Sequence, residues 1–105
     1  MTVHVKEHFT ISEKLKDVFM EMEVSPVGVL KNYALNLVYN KIHQYEAENG
    51  LFEKKYGCSF REFKKKIGKM KGEENFEWED SLMDWEFAHE NLKYWQKKAR
   101  ELRDE

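Results

Sequence analysis

Two interleaved seven-residue series in the last third of the chain constrain its fold more than any other feature. Trp78, Trp85, Leu92 and Ala99 stand seven apart, and so do Ser81, Ala88, Trp95 and Leu102. A seam with that repeat, widened here by Leu82, belongs to a long helix laid against other helices. The periodicity predicts a helix from about Glu74 onward, close to 30 residues and roughly 45 Å long at ~1.5 Å per residue. Acids crowd its first turns, and Lys97, Lys98, Arg100 and Arg103 its last, which complements the helix dipole. Phe76, Phe87 and Tyr94 lie off the seam, so the helix is apolar on more than one side, and one small domain does not easily cover both.

The same segment is the most negatively charged in the chain. From Glu73 to Leu92 there are eight Asp and Glu and no Lys or Arg. Residues 1–72 instead carry 13 Lys/Arg against 9 Asp/Glu, and residues 93–105 carry 5 against 3, so the net charge of −2 conceals a division into cationic and anionic parts. Such a division favours partners of opposite sign on different faces.

A chain of 105 residues is read as one domain whose limited core makes dimerisation a reasonable expectation. One proline and five glycines leave little room for a loop-rich β fold. The single cysteine, Cys58, excludes an internal disulfide and fits a reducing compartment. The first ten residues have no apolar run of the secretory type, and no stretch approaches the ~20 apolar residues of a membrane span. The expected setting is cytoplasmic.

The opening "TVHVKEHFTI" alternates. Val3, Val5, Phe9 and Ile11 fall on one side, interrupted by Glu7, while His4, Lys6, His8 and Thr10 fall on the other. That is the period of a short strand. A lone strand leaves its backbone groups unpaired, so it requires a partner strand from a second chain. "TISE" predicts a capping box of Thr10 with Glu13, opening a first helix to about Val24 with Ile11, Leu15, Val18, Phe19 and Met22 on one stripe. Ser25-Pro26 then starts a second helix to about Glu48, with Val27, Leu30, Ala34, Leu37, Val38 and Ile42 inward and Asn49-Gly50 as its stop. "LFEKKYG" resumes as a helical turn ending at Gly57. Ser59 and Glu62 cap a short helix carrying Phe60, Phe63 and Ile67.

Strand, helix, break and longer helix in this order over residues 2–48 resemble the ribbon-helix-helix repressors, in which two chains pair their first strands into an antiparallel ribbon in the DNA major groove. The second half, with "KYGCSFREF" ahead of an acidic, tryptophan-bearing helix, looks like the C-terminal part of small archaeal antitoxins of toxin–antitoxin pairs. The resemblance implies a homodimer whose residues 1–50 bind duplex DNA, residues 51–72 a basic short-helix linker, and residues 73–105 a helix that neutralises a basic protein partner. It makes His4, Lys6, His8 and Thr10 groove-facing donors and places a phosphate at Ser25 and the amides opening the second helix. Phe76, Trp78, Leu82, Trp85, Phe87 and Trp95 become the partner-binding residues, the rings as buried anchors and the carboxylates steering encounter. The turn "EMEVSP" departs from the pattern in lacking a glycine. The ribbon face holds one Lys and two His, which limits its permanent positive charge.

Other constellations point away from chemistry. His4 and His8 on a strand lie about 13 Å apart at ~3.3 Å per residue, too far to share an ion. Cys58 has lysines nearby but no histidine close in sequence, and the carboxylates line a solvated face rather than a pocket. From Lys54 to Lys71 there are eight Lys/Arg and one acid, interleaved with aromatics as in single-strand binders. The favoured reading is that these cations neutralise the acidic helix that follows. No enzyme activity, cofactor or metal is expected. The expected fold is mainly α: a short N-terminal strand, a ribbon-helix-helix-like pair of helices, a short linker helix and a long amphipathic C-terminal helix. The alternative to the antitoxin-like reading is a non-catalytic helical dimer or adaptor without DNA binding.

Overall fold

The computed structural model describes residues 11–70 and 75–105, which form four helices and no strand. These are α1 (Glu13–Glu21), α2 (Pro26–Tyr56), α3 (Phe60–Lys69) and α4 (Phe76–Arg103). The expected strand, and with it His4, Lys6, His8 and Thr10, lies outside the described residues.

Each helix starts on a side-chain cap. Ser25, Ser59 and Asn75 accept hydrogen bonds from the backbone N–H of Gly28 (3.3 Å), Glu62 (3.2 Å) and Trp78 (3.2 Å). The cap of α1 is Ser12, which accepts from Leu15 N–H at 3.2 Å, rather than the expected Thr10. Serine two residues further on offers the same oxygen, and Glu13 then becomes the first helical residue instead of the third.

The break between α1 and α2 closes without glycine. Glu23 N–H donates to Met20 O (3.1 Å) and Val24 N–H to Phe19 O (2.9 Å), the paired bonds of a Schellman motif. Its left-handed position is taken by Glu23 at φ 55°, where a side chain costs about 1–2 kcal/mol relative to the right-handed region. The departure noted in "EMEVSP" is therefore absorbed as local strain.

The largest correction concerns α2. The predicted stop at Asn49-Gly50 is not taken, and the helix runs on to Tyr56, ending at Gly57 with φ 65°. The expected boundary between residues 50 and 51 thus falls inside one helix. Asn49 stays helical because its side chain is used: Nδ2 donates to Tyr45 O at 2.7 Å, while Oδ1 accepts from Trp85 Nε1 at 3.1 Å. A residue that ends helices when solvated is retained here by two buried bonds.

α2 and α4 pack antiparallel along most of their lengths. The predicted α4 seam faces inward. Ser81, Trp85, Ala88 and Ala99 are buried, and Trp78, Leu92, Trp95 and Leu102 are half-buried. From α2 come Ile42, Tyr45 and Asn49, with Phe52 and Tyr56 following at helical spacing. α3 folds back onto α4 and buries Phe63. The core is a ring cluster around Trp85, which lies against Phe63 (centroids 5.2 Å), Phe52 (5.5 Å), Phe60 (5.7 Å) and Tyr56 (6.2 Å). The Tyr56 hydroxyl donates to Ser81 Oγ at 2.7 Å, and no buried side-chain polar atom among the described residues lacks a partner.

The other end of the molecule differs. α1 buries no residue, and of its predicted stripe Leu15, Val18 and Met22 are exposed. Of the inward set on α2 only Ile42 is buried, while Val27, Leu30 and Leu37 are exposed. The molecule measures 67 × 26 × 21 Å with a radius of gyration of 21.0 Å, against about 13 Å for a compact chain of this length.

Two substitutions test the continuity of α2. A Cβ added at Gly50 meets nothing within 4 Å, so Gly50→Ala should stabilise the fold by about 0.5–1 kcal/mol. Asn49→Ala should destabilise it by about 1–3 kcal/mol, because the Trp85 indole N–H loses its acceptor. Urea midpoints at unchanged m-value give both; a loss on Gly50→Ala would mean that the helix bends at that residue.

Candidate protein interaction surface

The residues expected to bind a partner divide between the two sides of α4. Trp85 is 0 % exposed and belongs to the core. It offers no surface, so its assignment as a contact residue is corrected. Trp78 is half-buried against Tyr56 and Phe63, and Leu82 is half-buried. Trp95, also half-buried, has an open groove on either side. One is lined by Ala34, Leu37 and Val38, the other by Val38, Lys98 and Leu102. Phe76 and Phe87 are exposed.

Phe76 and Phe87 are not alone. Met83 and Tyr94 are exposed as well, and the four range from 52% to 70% exposure. Their spacing of 7, 4 and 7 puts them, at 3.6 residues per turn, within about 20° of a single line along the helix. The line runs opposite Trp85. Met83 was missed in the sequence because attention to the tryptophan seam hides a second row of the same period; counting the off-seam apolar residues by sevens and fours recovers it. Leu51 of α2 is exposed beside it, where Glu48, Leu51, Phe52, Lys55, Asp84 and Phe87 line a groove of about 410 Å³. Around Phe76, Met83 and Phe87 acids stand on both flanks of the row, Asp80 and Asp84 on one side and Glu79, Glu86 and Glu90 on the other. Glu86 is paired with Lys64 and Glu90 with Lys93, while Lys97 and Lys98 flank the end of the row at Tyr94.

The basic run partly meets the acidic helix, as the favoured reading expected. Lys55 Nζ lies 3.0 Å from Glu77 Oε1, and Lys64 Nζ lies 3.9 Å from Glu86 Oε1. The hydrogen bond to Glu77, helped by neighbouring Tyr56, holds the Lys55 ammonium above its ordinary pKa. A raised pKa contributes stability below the unfolded value and loses it only as pH climbs through the folded one, so this pair is insensitive to pH in the neutral range. Both groups are solvated, and such pairs contribute little.

A second apolar surface covers α1 and the first half of α2, where Val18, Met20, Met22, Val27, Leu30 and Leu37 are exposed. Ser25, expected at a phosphate, accepts from Gly28 N–H as the α2 cap, which leaves its O–H free to donate, while Pro26 has no N–H to offer. Cys58 is free and half-buried. Among the described residues no three His, Cys, Asp or Glu are grouped to hold a metal, and no helix is long and apolar enough to cross a membrane. Comparisons with protein-family models, with curated proteins and with solved structures find no match to this chain.

The two sides of α4 should respond differently to substitution. Trp85→Ala should destabilise the fold by about 3–5 kcal/mol, whereas Met83→Glu should shift stability by no more than about 0.5 kcal/mol. Chemical denaturation of both variants checks the assignment of faces, and comparable losses would reverse it.

Proposed function

We propose that the chain is an antitoxin-like interaction protein without catalytic activity: a homodimer joined through its N-terminal half, with α4 turned toward a basic protein partner. One observation carries the reading. α1 buries no residue, and the first half of α2 leaves Val27, Leu30, Tyr33 and Leu37 exposed with only Ala34, Leu35 and Val38 half-buried, so among the described residues most of this apolar surface has no core to join. Exposed apolar surface of that extent marks a subunit interface. A second copy, presenting the same surface about a two-fold axis, supplies the missing layer. Pairing through the 9-residue α1 and the start of the 31-residue α2 is what the ribbon-helix-helix resemblance of residues 2–48 implies, and that resemblance would join the two N-terminal segments as a DNA-binding ribbon.

The grooves beside Trp95 extend the dimer surface, since Leu37 and Val38 line them together with α4.

Light scattering on a size-exclusion column should give twice the chain mass at micromolar concentration, and the pair Leu30→Asp, Leu37→Asp should give a helical monomer. A native protein that is monomeric throughout overturns the reading. The DNA half has its own test. Duplex binding should fall steeply with salt and be tighter at pH 6 than at pH 8, because acid adds positive charge to a segment that bears histidines. No affinity at pH 6 and low salt removes that half and leaves a helical dimer or adaptor.

A further inference from the structure

The outer side of α4 carries a row of four large apolar side chains that the described residues cover only in part, Tyr45 lying edge-on to Phe87 (centroids 6.2 Å) and Lys98 Nζ over the Tyr94 ring (5.5 Å). Phe76, Met83, Phe87 and Tyr94 extend about 27 Å along the helix at ~1.5 Å per residue. Beside Phe87 the row opens into the groove at Leu51. A straight row of this spacing is what a helix presents to another helix lying along it. The flanking carboxylates decide the chemistry of that second helix, because cations beside its apolar seam meet them and anions are repelled. We propose that this face is a docking surface for a basic amphipathic helix of another protein, leucine-like along its seam and flanked by Lys or Arg. The inference rests on the interaction-protein reading above and gives its partner-binding half a surface distinct from the tryptophan seam.

The chain's own basic helix does not qualify as the occupant. α3 already spends its apolar side internally, Phe63 being buried and Phe60 lying against Trp85 and His89. α1 of a second copy is apolar but nearly balanced in charge, with Lys14 and Lys16 against Glu13, Asp17 and Glu21. Nothing in the acidic flanks selects it. Two copies of the row facing one another would set carboxylates against carboxylates. A partner with excess positive charge answers both features at once.

The test uses the full chain and two labelled 21-residue helical peptides with leucine at heptad positions a and d. One carries lysine at e and g, the other glutamate. Fluorescence anisotropy at low salt should show the lysine peptide binding at least about tenfold more tightly than the glutamate peptide. Met83→Glu should weaken the lysine peptide by a similar factor. So should the double substitution Asp80→Lys, Asp84→Lys, which touches only solvated positions. Circular dichroism should be unchanged in both variants. Equal binding of the two peptides, or variants that bind the lysine peptide as the native protein does, would overturn the proposal. A change in subunit number on Met83→Glu would also overturn it, by placing a second copy on the row. A monomeric native protein that still selects the lysine peptide would instead refute the dimer and leave this surface standing.

Discussion

The hydrogen bond from the Trp85 indole to the Asn49 carboxamide (3.1 Å) sets the register on which the rest of the structure depends. A seam built on sevens is degenerate: sliding α4 by two turns past α2 brings apolar residues onto apolar residues again. The polar pair is not degenerate. Asn49 is buried, with its oxygen committed to Trp85 and its nitrogen to Tyr45 O within α2, and a shifted register would strand one buried donor (Trp85 Nε1) and one buried acceptor (Asn49 Oδ1) at about 1–3 kcal/mol each. Reversing the amide would lose both bonds together. With this register in place Tyr56 meets Ser81 and Lys55 meets Glu77, while at the far end Arg103 reaches the Tyr39 hydroxyl at 3.1 Å. Serine and alanine at 81, 88 and 99 let the two rods approach, and the rings of α3 seal the end.

The same bond explains which parts of the molecule were legible in the sequence. The α4 seam, the caps at Ser25 and Ser59 and the left-handed Gly57 are local patterns with local causes, and the structure keeps them. Asn49-Gly50 is also a local signal, and it misleads. Its meaning depends on Trp85, 36 positions away along the chain. A residue that competes for backbone groups in water becomes a helix residue once a distant donor occupies its side chain. Trp85 misled in the opposite direction. Its acidic neighbours suggested exposure, but neighbours in sequence on a helix point elsewhere, and Glu86 lies about 100° around the axis from it. The inward faces of α1 and early α2 were legible as amphipathic. Among the described residues little packs on them, Phe19, Ala34, Leu35 and Val38 being the half-buried exceptions.

Two apolar surfaces remain on this rod, and their charge separates their roles. The N-terminal surface, between Glu13 and Asn40, mixes Lys14, Lys16 and Lys31 with Glu13, Asp17, Glu21 and Glu23. Near neutrality tolerates an identical surface, because a two-fold contact places each residue against the mirrored set and net repulsion stays small. The outer row of α4 fails that condition. Glu86 and Glu90 have lysine partners in Lys64 and Lys93, but Glu79, Asp80 and Asp84 facing their own copies would concentrate like charge along the edges of the apolar contact, and burying the row would desolvate them in part. On the proposed reading self-association therefore belongs at the nearly balanced end, and a foreign cation-bearing helix at the acidic one. The core between them, anchored at Trp85, carries both demands without being exposed to either.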